Sequence, residues 1–285
     1  MSSRALQAME GFLFGADPEL FVLNDKGVPV TAEGLIPGTK EKPFKVKGGA
    51  IQVDGMAAEF NIDPVNNFQD FSRNITQVLA ALQGHLPAGY TLSAVPSVVF
   101  GKKEFEKAPD IAKILGCNPD FNAWSGDLNP PPHDPSNPRL RTASGHLHIG
   151  WTDDADTNDA AHLLNCFDLV KQLDWFLGGW SVQQDPDPVR RGLYGKAGAC
   201  RPKSYGVEYR VLSNFWVTDR DQRLAVWNRM QLAIHEMRTR FAPEKLGDAA
   251  NAMLIEVINK TTRNESLEKA YAYPLTTTAQ SRARY

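Results

Sequence analysis

Residues 190–215 read RRGLYGKAGACRPKSYGVEYRVLSNF, and the run changes character halfway. Its first half is turn-rich, with glycines at 192, 195 and 198 among the cations Arg190, Arg191, Lys196, Arg201 and Lys203. After Gly206 the pattern Val207-Glu208-Tyr209-Arg210-Val211-Leu212 alternates, which is the strand signal. Side chains two apart on a strand share a face, so Glu208 and Arg210 point together. A basic, glycine-rich loop feeding a strand with a carboxylate and a guanidinium suits a polyanion site with a metal. A solvated loop ahead of an ordinary edge strand is the competing reading of the same residues.

Three other stretches repeat this two-residue spacing. Phe12 to Leu23 predicts a strand with Asp17 and Glu19 on one side. Pro18 between them lacks an N–H, so that part is an edge or a bulge. Ala50 to Asp54 predicts a strand, Asp54-Gly55 a hairpin turn, and Ala57 to Ile62 the returning strand. Glu59 and Asn61 share its face. Ser144 to Gly150, SGHLHIG, puts His146 and His148 on one face and Leu147 and Ile149 on the other. A further strand is expected from Tyr90 to Phe100.

Helices fill the intervals. Asn66 to Leu82 carries Phe68, Phe71, Ile75, Val78, Leu79 and Leu82 at helical spacing, with Asn66 or Asn67 as cap. Asp156 to Gly178 predicts a second helix, with His162 off its apolar stripe and solvated. A third begins at Asp219 or Asp221 and runs to about Phe241, with His235 beside its stripe. Residues 248–272 predict a further helix with a break. Two long connections stand out, 34–49 and 101–142. The second holds His133, read as exposed, and Arg139 and Arg141, read as solvated cations or additions to a phosphate pocket. No repeat or linker divides the chain, so one domain over 1–285 is expected: a core at about 11–240, a helical extension at 241–275 and a frayed tail.

Composition narrows the function. The chain has 285 residues, 42% of them hydrophobic, which is enough for a sizeable core. A net charge of −2 gives no bulk attraction to nucleic acid or an acidic membrane. Cys117, Cys166 and Cys200 form no CxxC pair, which argues against a disulfide framework or a cysteine zinc site. No apolar run has the length of a signal peptide core or a membrane span, so a reducing cytoplasm is expected.

Assembled, the polar pairs Asp17/Glu19, Glu59/Asn61, His146/His148 and Glu208/Arg210 predict one polar sheet face lining a concave site. The other face would carry the amphipathic helices. That is an α+β layering with an antiparallel sheet. Converging carboxylates repel and their pKa values rise unless a cation joins them. Oxygen-rich ligands with one or two His favour Mg²⁺ or Mn²⁺. The Arg and Lys group suits nucleotide phosphates. Neither GxxxxGK[ST] nor GxGxxG is present, so neither a P-loop nor a Rossmann site is expected.

The segments GADPELFV, AEFN, SGHLHIG and RRGLYGKAG…YGVEYRVLSNFW resemble the phage-associated carboxylate–amine ligases (COOH–NH2 ligase type 2). These amidoligases belong to the glutamine synthetase and glutamate–cysteine ligase superfamily, and the resemblance covers about 11–240. It implies ATP bound against a curved antiparallel sheet of glutamine synthetase type, with metal ligands on the concave face and helices outside. By position it implies metal ligands at Asp17, Glu19, Glu59, His146 and Glu208, with Asp54 a further candidate. His148 would be the substrate-side neighbour and Arg210 the phosphate-directed Arg, joined by Arg190, Arg191, Lys196, Arg201 and Lys203. Asp17 stands where the superfamily usually has Glu.

The implied reaction phosphorylates a carboxylate with ATP, and an amine then displaces phosphate. Its partners would be small-molecule, peptide or protein carboxylates and amines, in the bacterial host's cytoplasm if the gene is a phage's. The 34–49 or 101–142 loop would exclude water from the acyl phosphate. Three other readings stay open: a phosphotransferase of the same fold, a metal-dependent hydrolase, and a non-catalytic phage protein.

Overall fold

A computed structural model describes residues 11–114, 120–132, 134, 136–238 and 240–269. The expectations for Cys117, His133 and the C-terminal tail lie outside these. The strands run in chain order as β1 (Leu13–Ala16), β2 (Glu19–Leu23), β3 (Pro29–Val30), β4 (Phe44–Val46), β5 (Gly49–Asp54), β6 (Ala57–Ile62), β7 (Thr91–Ser93), β8 (Ser97–Val99), β9 (Phe121–Asn122), β10 (Leu140–Thr142), β11 (Leu147–Gly150), β12 (Ala199–Lys203) and β13 (Gly206–Tyr209). One sheet has the order β1-β11-β13-β12-β9. A second runs β3-β2-β6-β5-β4, with β7 also on β2, and β8 and β10 form a separate pair. Every one of these pairings is antiparallel.

The strand expected over Phe12 to Leu23 is two strands in two sheets, divided at Asp17-Pro18. Pro18 has no N–H to continue a ladder. Its carbonyl accepts from Phe60 N at 3.1 Å, and Glu19 N turns to Ser144 O at 2.9 Å. Phe14 in turn exchanges two backbone hydrogen bonds with Val65, just beyond β6. The chain thus leaves one sheet and enters the other within two residues, and the sheets curl toward each other around that joint. The strand expected over Tyr90 to Phe100 likewise divides at Pro96 into β7 and β8, which pair with different partners.

The helices α1 (Phe68–His85), α2 (Ala160–Leu173), α3 (Arg220–Met237) and α4 (Ala242–Lys260) cover the outer faces. Asn67 caps α1 by accepting from Asp70 N at 2.9 Å, and Asp219 caps α3. The α1 stripe of Phe71, Ile75, Val78 and Leu82 is buried. Trp227 of α3 packs against Phe14, Phe68 and Phe71, tying β1 to α1. One apolar cluster links these helices to both sheets. A break at Gly247, with φ 79°, interrupts α4. After α2 the helix continues as a π-helical turn, Asp174–Gly178. His162 is buried rather than solvated, because its Nε2 lies 2.8 Å from the Lys203 carbonyl. Among the described residues, no helix is long and apolar enough to cross a membrane.

Candidate active and metal site

Strand register sets out two rows of side chains. In the first sheet Gly15, His148, Glu208 and Arg201 stand opposite one another across β1, β11, β13 and β12. In the second, Glu19, Glu59 and Gln52 form a row across β2, β6 and β5. Residues in register share a sheet face, so each row presents its side chains together. Both rows face one cleft of about 800 Å³, which also takes in Asp17, Asp54, Asn61, His146, Lys203 and Arg210. That volume is in the range of clefts that hold drug-sized ligands.

Asp17, at the joint between the sheets, meets both histidines. Its Oδ1 lies 3.3 Å from His146 Nδ1 and 2.9 Å from His148 Nε2. Glu208 Oε1 is 3.5 Å from the same His146 nitrogen. Asp17, His146 and Glu208 can bring one ligand atom each within 4.8 Å of one another. Asp17 Oδ1 and His148 Nε2 are buried, yet neither makes a hydrogen bond. Buried polar atoms with no hydrogen bond are costly, and a shared cation satisfies both. The donor set therefore fits a divalent metal.

The electrostatics divide the cleft. Burial opposes charge on Asp17, but His148 and then His146 outweigh it and hold its carboxyl well below the ordinary value. Burial and Asp17 push Glu208 up, yet Arg210 and the two imidazoles bring it down to about 2. His146 is lowered by burial and by Arg210. Burial also opposes charge on His148, but Asp17 overrides it and raises its pKa. The second row behaves oppositely. Burial, followed by the charge of Asp54, raises Glu19 to about 8. Burial and the charges of Asp17, Asp54 and Glu19 raise Glu59 well above its ordinary value. Gln52 Nε2 donates to Glu59 Oε2 at 2.8 Å, and Ser144 N to Glu19 Oε2 at 2.7 Å.

Three cations converge on Glu208. Lys203 Nζ is 2.9 Å from Oε2, Arg201 Nη1 is 3.3 Å from it, and Arg210 Nη1 bonds Oε1. Arg210 Nε also donates to Asp120 Oδ2 at 2.9 Å. Three cations thus stand beside one carboxylate, a donor set that suits an anionic ligand.

Other expected cations lie elsewhere. Arg190 and Arg191 are 1% exposed and do not line the cleft. They sit in the helix Pro188–Leu193, not in a loop. Arg190 donates to the carbonyls of Arg210, Val211 and Leu212 and to Ser144 Oγ. Arg191 donates to Gly195 O, Val211 O and Ser181 Oγ. Both forks donate to carbonyls of the chain after β13, where the backbone supplies only Gly145 N to Leu212 O and a single bridge from Ser144 to Ser213. Lys196 is exposed and borders a separate small hollow with Asp120 and Pro130. Arg141 is buried against the carbonyls of Ala112, Lys113, Pro138 and Leu140, so it is neither solvated nor at the cleft. Arg139 donates to Phe100 O.

Of the two long connections, 34–49 contributes Lys40 and Pro43 to the cleft wall, while no described residue of 101–142 lines it. Lys40 Nζ reaches Asp54 Oδ2 at 3.5 Å. Sequence reasoning missed Lys40, Gln52 and Tyr205. Gln52 carries a local signal, since it lies two before Asp54 on β5. Lys40 and Tyr205 carry none of their own, although the 34–49 loop and the 190–215 run that hold them were both expected at the site.

No family model matches this chain, and no curated protein matches it. Among solved structures the chain is similar to a bifunctional glutathione synthetase from Pasteurella multocida, at a TM-score of 0.49 and 11% identity. The similarity covers 95% of this chain and 47% of that one, so the chain spans just under half of that protein's length.

Proposed function

We propose that the protein is an ATP-dependent carboxylate–amine ligase, built as one catalytic domain on a curved sheet of glutamine synthetase type. The observation that carries this reading is the meeting, at Glu208, of a carboxylate–imidazole metal set with the cations Arg201, Lys203 and Arg210. A metal hydrolase needs the first group but not the second.

In this reading Asp17, His146 and Glu208 hold one Mg²⁺ or Mn²⁺, and Glu19, Glu59 and Asp54 serve a second position. A bound ion there would neutralise phosphate charge. Arg201 and Lys203 take the nucleotide phosphates. Arg210 stabilises the phosphoryl group as a substrate carboxylate oxygen attacks the γ-phosphorus and ADP leaves. The amine then attacks the acyl carbon, the C–O bond to phosphate breaks, and the amine loses a proton. His148 borders this point. Lys40 and Pro43 line the cleft, and the loop that carries them would keep water from the acyl phosphate.

The test is ATP turnover with Mg²⁺ against pools of amino acids and peptides, with products read by mass. Amide products that appear with ADP and phosphate support the ligase. Substrate cleavage without ATP replaces this reading with the hydrolase.

A further inference from the structure

Tyr205 lies in the turn between β12 and β13 and lines the cleft. Its carbonyl accepts from Trp151 N at 2.9 Å and Thr152 N at 3.3 Å, which clips the turn onto the end of β11. The phenol is thereby aimed, and its oxygen meets His148 Nδ1. The other ring nitrogen, Nε2, lies 2.9 Å from Asp17 Oδ1, yet neither atom makes a hydrogen bond. Beside the same oxygen stand His146 Nδ1 and, next to that nitrogen, Glu208 Oε1.

An imidazole binds a cation through a bare nitrogen, and the bond made by its other nitrogen decides which one is bare. We propose that Tyr205 is a positioning residue: its phenolic oxygen accepts the Nδ1 proton of His148 and so presents the Nε2 lone pair to a divalent cation shared with Asp17. His148 then joins Asp17 at that cation through Nε2, where His146 offers Nδ1. The inference rests on the metal part of the function proposed above and not on ATP or ligation.

The test uses the full chain without nucleotide. Mn²⁺ is titrated into the parent and into Tyr205→Phe, which keeps the ring and removes the oxygen. Loss of a partner behind a metal-ligating histidine costs about tenfold or more in metal affinity, and that is the expected result. Nitrogen NMR of labelled histidine, with Mg²⁺ present, reads the tautomer, and His148→Gln identifies the signals by their loss. The parent should carry the His148 proton on Nδ1. Unchanged Mn²⁺ affinity in a folded Tyr205→Phe, a proton on Nε2 in the parent, or no Mn²⁺ binding by the parent would each overturn the proposal. If Tyr205→Phe does not fold, the tautomer of the parent decides alone. A parent that binds Mn²⁺ but never turns over ATP overturns only the ligase reading.

Discussion

Glu19 stands directly opposite Glu59 across β2 and β6, one half-buried and the other buried. Like charges so placed destabilise a sheet. Burial and neighbouring carboxylates raise both pKa values, Glu19 to about 8. A raised carboxylate contributes stability that is complete below its unfolded pKa and is lost as pH rises through the folded one. With chelator present, stability should therefore fall from about pH 4.5 toward pH 8. Mg²⁺ should reduce that fall. At a hundred times its Kd a bound ion adds about 2.7 kcal/mol. Glu59→Gln should be more stable than the parent without metal and gain less from it. Thermal melts with Mg²⁺ and with chelator check this, and an equal metal gain in both proteins would sink the assignment.

Arg210 and Arg190 should fail differently. The Arg210 fork holds Asp120 through Nε and Glu208 through Nη1 at once. Lys keeps the charge but cannot span both. Arg210→Lys should lose roughly tenfold to a hundredfold in ATP turnover, the equivalent of ~1.5–3 kcal/mol for a charge-assisted bond. Its melting temperature should fall less than that of Arg190→Ala. Arg190→Ala removes a buried guanidinium and its four hydrogen bonds, although Val211 O keeps Arg191 and Leu212 O keeps Gly145 N, so its fold should lose about 3 kcal/mol or more. Parallel melts and turnover assays separate the two. Parent-like turnover in Arg210→Lys and Arg210→Ala would remove Arg210 from the phosphate site.

Asp174 predicts a pH dependence away from the cleft. It accepts from Trp124 Nε1, Gly198 N and Tyr209 Oη, joining the π-helical turn to the far side of the sheet. Burial raises it to about 6 from an ordinary 3.8 despite those bonds. The sign is that of a raised carboxylate, so its contribution fades as pH rises from about 4 through 6. The full swing is about 3 kcal/mol. Asp174→Asn can keep all three contacts, with its oxygen toward Trp124 and Gly198 and its amide toward Tyr209. Denaturant unfolding between those pH values should show a flatter profile in the variant.

Gly206 sets the register that aligns His148 with Glu208. Its φ is +149°, and a Cβ there would collide with the Ile149 carbonyl and the Trp151 ring. Gly206→Ala should cost roughly 1–3 kcal/mol in backbone strain alone. Mn²⁺ binding should weaken with it, since both strands that carry the proposed ligands must shift. Denaturant midpoints and Mn²⁺ titration on the same preparation provide the check.

Much of the candidate site was legible because strand faces have a two-residue period. The alternation in VEYRVL, AEFN and HLHI put Glu208 with Arg210, Glu59 with Asn61, and His146 with His148, and all of these line the cleft. The stripe of α1 and its Asn67 cap were equally local. Pro18 signalled an interruption, though not that the chain changes sheets there.

What the chain dictates by itself is therefore which side chains share a face and where each ladder must stop. These depend on backbone geometry within a few residues. Which faces meet was decided by tertiary structure alone. Register set Glu19 against Glu59 and His148 against Glu208, and the curl at Asp17-Pro18 turned the two rows into one cleft. Charge type could not tell Arg201, which reaches the cleft, from Arg190, which is consumed by backbone carbonyls. The difference lies in whether a carbonyl or an open space stands at the end of the side chain. That depends on segments far away in sequence, and no local pattern records it.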